Sequence, residues 1–156
     1  MKSNHLLMTI SLLYHTWEQQ LIKFTIGEMS HYLDFTRKVM QYNEAQKVFE
    51  LHGIKISDTA AWRKIKELKL LTNTIKHGDG DSAERLRKIR PDYFKSDYLD
   101  DSTDLLELNG AVLLDGLTIK ANESDLEDYV KATMGFWDEM PERAFSDTEK
   151  IMNEFQ

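Results

Sequence analysis

The chain has 156 residues, 41% of them apolar and 30% charged, with a formal net charge of −7, which suits one domain with a sizeable buried core. It holds no cysteine, which excludes disulfides, thiolate zinc sites and cysteine nucleophiles. No apolar run reaches bilayer length, and the lead into Leu6–Leu13 continues into charged helix without a small-residue cleavage site, so a cytoplasmic protein without membrane contact is expected.

The charge is unevenly placed. Residues 1–60 carry six Lys and Arg against six Asp and Glu, residues 61–95 ten against five, and residues 96–156 four against sixteen. A basic middle could meet phosphate, whereas the acidic final third repels nucleic acid and attracts basic proteins; the two regions could equally neutralise each other within the fold.

In chain order, a long helix is predicted from about Asn4 to Met29, capped by Ser3 or Asn4. Its stripe of Leu6, Ile10, Leu13, Trp17, Leu21 and Phe24 is widened by Leu7, Met8, Leu12 and Tyr14, which predicts a first half buried nearly all round. A second helix runs from about Asn43 to His52, with Gly53 as its stop. The third starts after Asp58, turns Trp62, Ile65, Leu68, Thr72 and Ile75 to one face, and ends at Gly78. Asp81-Ser-Ala-Glu84 reads as a capping box for a short basic helix through Arg90, which Pro91 ends. Leu105–Leu108, Ala111–Leu114 and Leu117–Lys120, separated by Asn109-Gly110 and Asp115-Gly116, read as strands of a small antiparallel ribbon near residues 105–120. Helix returns from about Ser124 to Met140, and a last amphipathic helix spans Ser146 to about Phe155. The expected fold is therefore mainly α, a helical bundle with a small β-ribbon, in a single domain over residues 1–156.

On the third helix Lys69, Asn73 and His77 are spaced by four and form one row, able to set an ammonium, an amide and an imidazole around an anion. His77 has the range for acid–base work near neutral pH, and Asn73 could orient it; a histidine in a last turn also serves simply as a partner for the helix dipole. His15 and Glu18 are three apart, a spacing that serves metals, but no second pair matches them. Asp79 and Asp81 lack the other ligands of a calcium loop, and Gly78 and Gly80 follow no strand and precede no Gly-Lys-Ser/Thr. No metal and no cofactor are expected. The aromatic residues Trp17, Trp62, Phe136 and Trp137 fall at helical spacing and suit core packing better than base stacking.

Thr72-Asn-Thr-Ile-Lys-His77 resembles the signature of the HEPN superfamily, in which Arg-Asn, three variable residues and His lie near the end of a bundle helix. The resemblance implies a helical, often dimeric protein of the kind found in bacterial toxin–antitoxin, phage-defence and RNA-processing systems, and active members resemble metal-independent ribonucleases whose Arg and His act together. Asn73 and His77 match that pattern. Thr72 stands in the arginine position and supplies neither a bidentate phosphate contact nor a permanent charge.

Two functions follow from these residues. The first is a protein-binding module of a conflict system, an antitoxin, immunity protein or phage-defence component. It would engage a basic protein partner such as a toxin nuclease, or itself as a homodimer, through the acidic Asp97, Asp100, Asp101 and Asp104. The alternative is a metal-independent endoribonuclease acting on RNA, with His77, Asn73 and Lys69 as catalytic group and Lys76, Arg85 and Arg87 on phosphate.

Overall fold

The computed structural model describes residues 3–32, 39–100, 102–112, 118–140 and 153. Its elements are α1 (Ser3–Tyr32), α2 (Tyr42–Leu51), α3 (Trp62–His77), α4 (Asp81–Ile89), α5 (Leu105–Asn109) and α6 (Glu123–Glu139), with 3-10 turns at Ile56–Asp58 and Pro91–Phe94. Most of the helical reading holds. α2 begins where Gln41 donates its backbone N–H to the Glu44 carboxylate at 2.9 Å. It stops at Gly53, whose φ of 81° lets the Ile54 N–H turn back to the Phe49 carbonyl at 2.8 Å.

Three expectations are corrected. Among the described residues there is no strand, and Leu105–Asn109 is a helix. Asp104 caps it by accepting from the Glu107 N–H at 2.8 Å, while Gly110, at φ 73°, ends it in the left-handed conformation. The Asn-Gly pair that reads as a hairpin turn is thus a helix stop, because both uses need the same positive φ. Of the other two expected strands, residues 111, 112 and 118–120 are described and form no strand, whereas residues 113, 114 and 117 lie outside the described residues, as does the expected C-terminal helix apart from Asn153. Asp81 is not a cap. The chain enters α4 one residue earlier, with Gly80 at the cap position, and Asp81 and Glu84 sit in the first turn, where the helix dipole favours carboxylates. Finally, the first half of α1 is not buried all round. Leu6, Leu7, Ile10 and Tyr14 are buried, but Met8 and Leu12 are exposed, lying about 200° round the helix from Ile10 at 3.6 residues per turn.

The chain divides into two compact units, residues 1–14 with 63–132, and residues 15–62 with 133–156. In the first, the fully buried side chains include Ile10, Ile65, Leu68, Leu71, Tyr93 and Tyr129. In the second, Trp17 meets Phe136 edge-on at 5.3 Å and Tyr42 at 6.1 Å, and Ile22, Met29, Met40, Ala45 and Val48 form an apolar cluster with Ile26 and Leu51 against it. Burial, with Glu18 nearby, pushes the Tyr42 phenol up to about 12.

Candidate functional site

α3 carries the row expected from its spacing. Lys69 and Asn73 are half-buried, and His77 is exposed at the last helical position. The helix ends there because Gly78, at φ 75°, donates its N–H to the Thr74 carbonyl at 2.8 Å. A Cβ on Gly78 would stand 2.7 Å from the Gly110 carbonyl oxygen, which accepts the Asp79 N–H at 3.1 Å, so only glycine fits this meeting of two helix ends. The His77 side chain has no hydrogen-bond or ion-pair partner among the described residues. Among the described residues no group orients it as general acid–base catalysis ordinarily requires of an imidazole. Thr72 is 2% exposed, and its Oγ1 has no hydrogen-bond partner among the described residues. Five residues apart on one helix, Thr72 faces the interior and His77 faces water.

The expected phosphate contacts part company. Lys76 and Arg85 are exposed and make no ion pair among the described residues, but Arg87 is fully engaged. Its Nε and Nη2 donate to the Asp104 carboxylate at 2.6 and 3.3 Å, and its Nη1 to Asp79 at 2.8 Å. The guanidinium also lies over the Phe94 ring, 4.8 Å from its centre. The hydrogen bonds it donates to Asp104 and Asp79 raise the Arg87 pKa further. For Asp104, burial pushes the carboxyl up, yet the Arg87 bond and the backbone N–H of Glu107 outweigh it and hold the group below its ordinary value. A residue expected to grip phosphate and one expected to grip a partner thus hold each other, beside a polar cleft of 590 Å³ also lined by Glu84, Lys88 and Glu107.

The other acidic positions behave differently. Asp97 is paired with Lys120 at 2.5 Å, with side chains 76% and 44% exposed, an arrangement that contributes little and leaves the carboxylate available. Asp100 is exposed, and Asp101 lies outside the described residues. Between Asp97 and Asp100, Tyr98 is 96% exposed and Leu99 49%.

Arg90, at the end of α4, organises a polar cluster that the sequence does not advertise. It donates to Asp92 at 3.0 and 2.8 Å, to Asp125 at 2.9 Å and to the Tyr93 hydroxyl at 2.9 Å, and reaches Glu67 at 3.5 Å. Lys64 holds the second Glu67 oxygen at 2.8 Å. The Tyr93 and Tyr129 hydroxyls are 2.8 Å apart, and burial drives both phenols well above their usual range. The bond to Arg90 holds the Asp92 carboxyl below its ordinary value, against the opposing effect of burial. Glu67 and Asp125 are buried, at 3% and 6% exposure. Two cations and three carboxylates, each in contact with an opposite charge, make the cluster a structural clamp. Its one sequence signal is Glu67 itself, the lone carboxylate of α3, placed between Ile65 and Leu68 on the apolar side.

No group of three or more His, Asp or Glu among the described residues is arranged to hold a metal ion; His15 is exposed and Glu18 half-buried. No helix among these residues is long and apolar enough to cross a membrane. Comparison of the chain with protein-family models, with curated proteins and with solved structures gives no match.

Proposed function

We propose that this protein acts by protein–protein contact rather than catalysis, as the binding component of a bacterial conflict system, an antitoxin, immunity protein or phage-defence subunit facing a basic partner. The observation that carries this reading is the segment Asp97-Tyr-Leu-Asp100, in which a nearly fully exposed tyrosine and a half-exposed leucine stand between exposed carboxylates. An aromatic anchor inside a ring of charge is the usual make-up of a contact surface, with the charge steering encounter and the ring supplying the buried anchor. Thr72 supports the same side: the position at which HEPN-type ribonucleases place arginine is inside the core. The conflict-system setting rests on the resemblance of Thr72–His77 to that superfamily.

One observation favours the ribonuclease reading instead: Lys76, His77 and Arg85 are exposed and without ion-pair partners among the described residues. A single experiment separates the two. Purified protein and a His77→Ala variant are incubated with total RNA in chelator, and the protein is co-expressed with the basic product of a neighbouring gene, with and without Tyr98→Ala/Asp100→Lys. We expect intact RNA in both incubations, and co-purification that the double variant abolishes. RNA cleavage that disappears with His77→Ala would overturn the binding reading.

A further inference from the structure

The second unit contains an apolar cavity of 210 Å³ whose walls come from α1, α2, Ile54, α6 and Met140. Three aromatic side chains line it: Phe24 lies 6.0 Å from Phe49 and 5.4 Å from Trp137, ring centre to ring centre. Three polar residues complete the wall, Thr25, Glu28 and His52. The Thr25 hydroxyl donates to the Leu21 carbonyl at 2.7 Å, so its proton is committed to the helix. Burial holds His52 below its ordinary value of 6.5, an effect that Glu28 only partly offsets, so the imidazole is neutral near pH 7. Glu28 is half-buried and has no hydrogen-bond or ion-pair partner among the described residues. Among the described residues the cavity therefore offers aromatic surface, one carboxylate and no cation to match it.

A half-buried carboxylate beside aromatic rings favours a positive guest for two independent reasons. Coulomb attraction is strengthened where water is partly excluded, and the ring quadrupole adds attraction for a weakly hydrated ammonium. An anion would meet Glu28 unscreened, and a purely apolar guest would leave it desolvated without compensation. On size, a cavity of about 150 Å³ accepts benzene, which limits this one to a guest of about eight non-hydrogen atoms. We propose that the cavity between α1, α2 and Trp137 is a binding site for a small organic cation, an alkylated ammonium with an apolar body, whose charge is met by Glu28 and whose methyl groups lie among Phe24, Phe49 and Trp137.

The test compares choline with 3,3-dimethyl-1-butanol, its neutral carbon isostere, titrated at constant ionic strength against the indole N–H resonance of Trp137, assigned with Trp137→Phe. Choline is expected to shift that resonance saturably and to bind at least about tenfold more tightly than the isostere. Glu28→Gln is expected to reduce the preference to within about twofold while thermal unfolding remains cooperative. Phe24→Leu changes a residue already 44% exposed, so it keeps the fold, and it is expected to weaken both probes. Equal affinity for the two probes, a preference that survives Glu28→Gln, or no saturable shift from either would overturn the proposal.

Discussion

Thr72 buries a hydroxyl that finds no acceptor or donor among the described residues. Leaving such a group unsatisfied costs about 1–3 kcal/mol, and valine has nearly the same shape without the polar atom. Thr72→Val is therefore expected to stabilise the protein by about 1 kcal/mol, a rise of about 2–4 °C in the midpoint of a calorimetric scan. Thr72→Arg, which restores the motif on paper, is expected to lower the midpoint sharply, because the guanidinium would enter a position 2% exposed. A valine variant less stable than the parent would mean that the hydroxyl is satisfied in solution. The residue letters of the motif were legible in the sequence; their directions were not fully so. The row Lys69, Asn73 and His77 follows from spacing alone, but Phe24 and Glu28, four apart on α1, look like one more apolar position and one more solvated charge. Only the arrival of Phe49, His52 and Trp137 from other helices makes them the wall of a cavity.

Among the elements, α4 shows how half the charge of a basic helix can be spent within the fold, Arg85 and Lys88 being exposed and Arg87 and Arg90 paired. Its sequence Arg85-Leu-Arg-Lys-Ile-Arg90 suggests a face for phosphate, yet Arg87 and Arg90 are held by carboxylates from the Gly78 loop, α3, the α5 cap and α6. Periodicity identifies helices well, because it needs only local spacing, and α1, α2, α3 and α6 are read nearly to their ends. It cannot identify ion-pair partners 17 to 35 residues apart, nor tell that Asn109-Gly110 ends a helix rather than turning a strand. For Arg90 the consequence is testable. Arg90→Ala leaves Asp125 buried without its arginine and Glu67 with Lys64 alone, and breaking a buried pair in this way typically costs about 3–5 kcal/mol. Urea denaturation should show that loss, and adding Glu67→Gln and Asp125→Asn should recover part of it, since neutral amides no longer need the cation. A loss under about 1 kcal/mol would mean that water reaches the clamp and that it behaves as a surface ion pair.

For the molecule as a whole, the uneven charge resolves into two populations. The basic residues of the middle segment and the acids of the final third meet at Arg87 with Asp104 and at Arg90 with Asp125, and those charges are not offered to a partner. The carboxylates of the exposed segment at Asp97 and Asp100 remain available. Under the binding reading they act at long range and Tyr98 at short range, so their effects should separate kinetically. Opposite charge raises the rate of encounter and is screened within about 8 Å at physiological ionic strength, whereas a buried aromatic anchor acts after contact and controls escape. With the basic partner immobilised for surface plasmon resonance, Asp97→Asn/Asp100→Asn is expected to slow association by about tenfold at low salt and to erase most of its salt dependence. Tyr98→Ala should leave association nearly unchanged and speed dissociation about thirtyfold, the equivalent of about 2 kcal/mol for a central aromatic contact. If both variants changed only the dissociation rate, the carboxylates would be contact residues rather than a steering field. If neither changed anything, the partner would be engaging another face, and the exposed apolar pair Met8 and Leu12 on α1 would be the next surface to alter.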